Sequence, residues 1–440
     1  MKNFLFYLVM VLTVFSCSQD KVSIIPGIAD VIDANRINKV QIDEIPSKSA
    51  GLYSDIYSGV RYIVLEGGNS SAIGNVDKIR LTKNDDLIVF DSEARLVLLF
   101  DSVGNFKNKI GNVGRAENEY IEPLDIAYDE FTNDIVVYDN AKKVLSYYDT
   151  KGTFQHNIRL DDYIGSFEIL DENHIALFKN YNVASNKEEH PNYVIIDKKG
   201  KTVKEFAFFD KRMDGISMYS DVFYKKSNRL YCHIPTTPIV NEVTLKSLIP
   251  IYDINFGNYQ APNEWYINGA KTYNEKVILH SKTNTAISQL FFQTETHMLL
   301  TFRFTDENGF NQLYLMITDN EDTKQSVCYS QLLNDLYGKQ SLIDLKYVDK
   351  NRMYFVLYPS EIQTLNQWNC GTDISNLMAD MERKVLKQLP TGSPLKTYFE
   401  NRVELEESET TKIIISEEEK SFVNNLTRHT NPIIQVCTLK

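Results

Sequence analysis

An excess of basic charge is the first thing this 440-residue chain lacks: 47 Lys and Arg stand against 59 Asp and Glu, a formal charge of −12. Nucleic-acid binding wants the opposite sign along a groove, so that class is set aside. Cysteine is scarce and scattered, at positions 17, 232, 328, 370 and 437, with no C-x-x-C pair. Such spacing excludes a small disulfide-stapled module and leaves single buried thiols, or up to two disulfides, for the cysteines after position 17. Seven histidines, at 156, 174, 190, 233, 280, 297 and 429, form no H-E-x-x-H or other compact ligand spacing, which gives a zinc site little support. A G-x-S-x-G elbow is also missing, which argues against an α/β-hydrolase. What the chain has instead is aromatic bulk, 26 Tyr and 23 Phe beside only 19 Gly and 12 Pro, with hydrophobic residues at 43%. That balance favours strands around a substantial core.

The chain opens "MKNFLFYLVMVLTVFSCSQD", one lysine followed by an apolar run from Phe4 to Phe15. A membrane-spanning helix needs about 20 apolar residues, so this dozen reads as a cleaved secretory signal and not as an anchor. The cysteine that ends it, preceded by Val14, Phe15 and Ser16, resembles the lipobox of bacterial lipoproteins, although the family usually has leucine where Val14 stands. The resemblance implies that Cys17 becomes the first mature residue and carries a lipid anchor to the membrane. A plain secretory signal with an incidental cysteine is the alternative. Residues 1–17 are thus expected as signal peptide and 18–58 as a tether and lead-in.

Beyond that the sequence repeats. Residues 78–111, "KIRLTKNDDLIVFDSEARLVLLFDSVGNFKNKIG", align with 125–158, "DIAYDEFTNDIVVYDNAKKVLSYYDTKGTFQHNI", almost without gaps. Asp91 matches Asp139, Asp101 matches Asp149, Gly104 matches Gly152 and Phe106 matches Phe154; a third copy places Asp197 and Gly200 one further period on. Each copy reads as four short strands, with Asp starting a turn that Gly closes at positive φ. Four antiparallel strands in a repeat of about 40 to 50 residues are the mark of a β-propeller blade. More diverged copies at 227–257, 287–319 and 342–358 bring the count to six. The fold class expected is therefore all-β, a six-bladed propeller over residues 59–440. Strand 60–66 should pair with 431–437 to close the ring and leave no exposed edge. Residues 373–389, with apolar side chains at helical spacing, predict a helix packed on the propeller before the closing strand.

These residues together resemble the six-bladed β-propeller lipoproteins of Bacteroides-type bacteria, related in shape to NHL-repeat propellers. The contact points are "YIVLE" near the start, the repeated "FD-x-x-G-x-F" turns, "D-x-NFGNY" at 253–259 and the terminal "NPIIQVCTLK". The resemblance implies a fold and a lipid-anchored envelope location, with an outer-membrane home whose periplasmic or surface face stays open. It implies little about chemistry.

"KIGNVGRAENEY", residues 109–120, has the glycines of a phosphate cradle but lies between strands, without the G-K-[ST] and helix that a P-loop requires. It reads as the connector between two blades, where the family commonly has Gly-Pro-Gly-Glu-Tyr and this chain keeps Glu119 and Tyr120. Such connectors line the mouth of the channel, which makes Arg115, Glu117, Glu119 and Tyr120 candidate ligand contacts; solvated loop residues are the alternative. No catalytic residue, metal ligand or cofactor is identified; calcium enters only because some propellers of similar shape carry it on their axis. Two functions stand: a non-catalytic module binding a glycan, peptide or envelope protein at the channel mouth, or a divalent-cation-dependent hydrolase or lyase on the axis. Three carboxylates and a histidine converging there would favour the second.

Overall fold

The computed structural model describes residues 37–42, 44–45, 50–183, 190–209, 211, 214, 221–233, 239–260, 284–307, 311–320, 326–329, 331–334, 339–341, 345–359, 383, 386–387, 400, 425–426 and 430–440. Cys17, Cys370 and nearly all of the expected helix at 373–389 lie outside the described residues.

Six four-stranded antiparallel sheets form the expected propeller. Blade 1 runs Lys78–Leu81, Leu87–Asp91, Leu96–Phe100 and Phe106–Lys109; blade 2 runs Pro123–Asp129, Asp134–Asp139, Val144–Asp149 and Phe154–Arg159. Blade 3 starts at Ser166–Ile169, blade 4 at Phe223–Lys226, blade 5 at Thr285–Gln293 and blade 6 at Leu345–Asp349. The first strands of neighbouring blades touch one another, so they are the inner staves of the ring. The strands are rich in Val, Ile, Leu and aromatics and are buried on both faces, because each blade packs between two others.

The repeated aspartates have different duties. Asp91 and Asp139, at the ends of second strands, bind the connector that enters their own blade: Gly74 N and Asn75 N donate to Asp91 at 2.8 and 2.9 Å, and Ile121 N and Glu122 N donate to Asp139 at 2.8 and 3.1 Å. Asp101, Asp149 and Asp197 instead accept from the backbone of the turn that follows, 2.8 to 3.0 Å away. Gly104 closes the first of these turns at φ +99°, where an added Cβ would lie 2.3 Å from the Val64 carbonyl. Only glycine fits there.

Closure follows the expected pairing. In blade 6 the strand Ile433–Leu439 lies between Arg352–Leu357 and Tyr57–Val64, with Ile433 opposite Val64 and Cys437 opposite Val60. The chain ends thus share one sheet. Upstream, Asn38–Gln41 adds a fifth, parallel strand to the outer edge of blade 4, and Ala50–Leu52 pairs in parallel with Gln331–Asn334. Val40 and Tyr53 are fully buried, so this stretch belongs to the core as a strap along blades 4 to 6. Cys232, Cys328 and Cys437 are free and buried.

Candidate functional site

Charged side chains stand buried in the innermost strands, beside second and third strands such as Leu87–Asp91 and Leu96–Phe100 that are almost wholly apolar. Lys78 and Arg80 lie on one side of their strand because alternate residues face the same way. The Lys78 ammonium sits 2.6 Å from Asp125 of blade 2 and 3.3 Å from Asp221, just before blade 4. The Arg80 guanidinium sits 3.3 Å from Glu168 of blade 3 and 3.2 Å from the same Asp221. Its Nη1 donates to the Ile79 carbonyl, and its carbon lies 5.4 Å from the ring centre of Tyr347 in blade 6. Ser166 Oγ and Phe167 N donate to the second oxygen of Asp125 at 2.8 and 2.9 Å. One network of two cations and three carboxylates therefore joins blades 1 to 4, and Arg80 adds blade 6 through the Tyr347 ring.

Burial alone would discharge such groups. Burial does act against the ionised form of Asp221, yet Arg80 and Lys78 hold its pKa below the ordinary carboxylate value. Burial likewise opposes the charge on Arg80, and the Asp221 and Glu168 carboxylates outweigh it and keep the guanidinium protonated.

The Arg80 and Glu168 end of the network is the floor of a cavity of about 380 Å³. Its walls come from the far ends of the innermost strands and the turns beyond them: Thr82 and Lys83, Tyr128 and Glu130, Tyr224 to Ser227, Phe292 to Glu295, and Tyr347 to Lys350. This is the exit mouth of the channel, the face where first strands turn into second strands. Three of the four acids of the wall are already engaged: Glu130 with Lys225 at 2.6 Å, and Asp85 and Asp349 both with Arg352. Lys226 donates to the Thr294 carbonyl at 2.6 Å, and burial lowers its pKa.

The residues singled out in the sequence lie elsewhere. Connector 110–122 enters blade 2 at Pro123, whereas the cavity begins at Tyr128; at about 3.3 Å per residue the strand separates the two by roughly 20 Å. Tyr120 is fully buried and donates its hydroxyl to the Ile110 carbonyl at 3.0 Å. The Glu119 carboxylate accepts from Ala116 N at 2.9 Å, and Lys142 clamps the Ala116 and Glu119 carbonyls at 2.6 Å each. Arg115 and Glu117 are exposed. Glu119 and Tyr120 thus shape the loop, and none of the four reaches the cavity. The signal that marks the network is faint: Lys and Arg alternating inside "KIRL", and the mid-strand acids Asp125 of "PLDIAYD" and Glu168 of "SFEI", each in a strand that should be apolar on both faces.

The family described as a domain of unknown function, DUF4934, matches residues 38–389. The chain belongs to DUF4934. The match begins at Asn38, the first residue of the strand added to blade 4. No protein of curated function matches the chain. Among solved structures, a "putative exported protein" of Bacteroides fragilis aligns with a TM-score of 0.64 at 15% identity, over 92% of this chain and 99% of that one. A DUF4221 member from Bacteroides vulgatus aligns with a TM-score of 0.44 at 9% identity, over 63% of this chain and 89% of that one. The first of these shares the fold of this DUF4934 chain at a sequence distance where fold alone is informative.

Proposed function

We propose that this DUF4934 protein is a non-catalytic binding module of the cell envelope, tethered to the outer membrane through a lipid on Cys17, with its ligand seated in the exit mouth of the channel. The cavity of about 380 Å³ carries the reading, because it lies within the range of small-molecule sites, has aromatic walls and rests on a rigid polar floor. The secretory signal and the described nature of the Bacteroides fragilis relative as exported support the location. Among the described residues no helix is long and apolar enough to cross a membrane. Kinship with NHL-type propellers belongs to the same reading.

Against the hydrolase or lyase alternative stands the state of the axis. Three carboxylates do converge there, but Lys78 and Arg80 occupy the position a divalent cation would take, and among the described residues no histidine lines the cavity. Calcium needs six to eight oxygen ligands, and each of these carboxylates already faces an ammonium or guanidinium that a second cation would have to displace. Arg115 and Glu117 on the entry face are the second-choice contact surface.

The test compares the mature chain with a Lys83→Trp variant, in which an exposed wall residue is enlarged to fill the mouth. Fractionated envelope extract is scanned by thermal shift. A fraction that stabilises the parent and not the variant supports the exit mouth. Stabilisation of both to the same extent moves the ligand elsewhere on the propeller.

A further inference from the structure

We infer that the exit mouth recognises an uncharged, hydroxyl-rich group, the end of a neutral saccharide. The inference rests on the mouth being the binding site, and it concerns what the mouth selects.

Charge balance is the first argument. The wall and floor carry five cations, Arg80, Lys83, Lys225, Lys226 and Lys350, against five acids, Asp85, Glu130, Glu168, Glu295 and Asp349. Four of those acids already have a cation within ion-pair distance. An anionic ligand on Arg80 would sit beside Glu168 and Asp221, both about 3.3 Å or less from the guanidinium. A cationic ligand on Glu168 would face Arg80 in the same way. Like charges at such distances in a partly desolvated site repel strongly, so both kinds of ion are disfavoured.

Hydrogen-bonding capacity is the second. Arg80 has five N–H donors, and its contacts within the protein are one to Glu168, one to the Ile79 carbonyl and one to Asp221. Two donors remain at the floor, next to a carboxylate that still has free lone pairs. A hydroxyl both donates and accepts, so one hydroxyl of a diol can accept from Arg80 while its neighbour donates to Glu168. A carboxylate can satisfy only the first half, and the N–H and C=O of a trans peptide point in opposite directions and cannot meet two adjacent groups together. The half-buried rings of Tyr128 and Tyr347 meanwhile give the wall apolar surface against which the C–H side of a sugar ring packs, while Tyr224 and Phe292 lie behind them in the core.

The lysines at the rim do not alter this. Lys83 and Lys350 are exposed to water, where attraction for an anion is only about 1 kcal/mol at 4 Å and is lost beyond about 8 to 10 Å.

The experiment applies the labelled mature chain to an array of uncharged oligosaccharides, of uronate- and sialate-bearing ones, and of short peptides. Hits are then confirmed by saturation-transfer NMR. Binding to uncharged glycans, at least tenfold weaker in Lys83→Trp and in Arg80→Lys, is the expected result. Should Arg80→Lys fail to fold, Glu168→Met takes its place, since it removes the acceptor half of the donor–acceptor pair. Capture of acidic glycans or peptides alone, lost in Lys83→Trp, would overturn the saccharide inference and leave the exit mouth standing as a site. Binding unaffected by Lys83→Trp would overturn the mouth itself. Silence across the uncharged glycans would also overturn the inference.

Discussion

The Lys78 ammonium lies 2.6 Å from the Asp125 carboxylate, across the boundary between the first two blades, and both side chains are almost entirely buried. Removing one partner leaves an uncompensated buried charge, which costs far more than the pair contributes. Lys78→Met should therefore lower unfolding stability by roughly 3–5 kcal/mol in urea titrations. A loss under about 1 kcal/mol, the value of an exposed pair, would show that the network does not bind the blades together.

Deleting residues 431–440 should abolish cooperative unfolding. The deletion removes the third strand of blade 6 and unpairs Tyr57–Val64. Ile433, Ile434, Val436 and Leu439 are all buried there, and at about 1.5–3 kcal/mol each they match the whole stability of an ordinary domain. A full cooperative melt in the truncated protein would contradict closure by the chain ends.

Acid should weaken the fold through His233. Its ring accepts or donates at Ser288 Oγ, 2.7 Å away, and burial pushes its pKa down to about 4. The unfolded chain takes up the proton near pH 6.5 while the folded one refuses it until about pH 4, so stability falls as pH drops through that window. The effect is on the order of 3 kcal/mol. His233→Gln should flatten the pH dependence of urea unfolding between pH 6.5 and 4, and an unchanged profile would assign the dependence to other groups.

The strap gives a steric prediction. A Cβ on Gly51 would lie 2.4 Å from Tyr329 Cε1, so Gly51→Ala must displace that ring from the sheet edge it covers. Overpacking of this kind costs about 1–3 kcal/mol, visible as a lower Tm. No change in Tm would mean that the strap is only loosely held.

The propeller was legible because its period is written in residues with one local duty each. Asp101, Gly104 and their copies are needed wherever the third and fourth strands turn, and Asp91 and Asp139 wherever a connector must be tied down. The strap was not legible, since "NKVQ" is short and has Val40 as its one apolar residue, and its parallel partner Tyr252–Asn255 lies more than 200 residues away. Nor was the site. Lys78 and Arg80 share one strand, but Asp125, Glu168 and Asp221 come singly from three other blades, and no local spacing unites them with the cations. Attention fell on 109–120 because its Gly-rich, charged sequence looks like a binding loop, while its polar groups are mostly spent on folding the loop back on itself.

The most direct measurement is a thermal melt of the mature chain in EDTA and then in millimolar calcium. With the axis carboxylates held by Lys78 and Arg80, Tm should be the same in both. A ligand at 100 times its Kd adds about 2.7 kcal/mol, so a calcium site would be plain in the melt. A calcium-dependent rise of that size, lost in Asp125→Asn, would contradict the account and make the axis a metal centre.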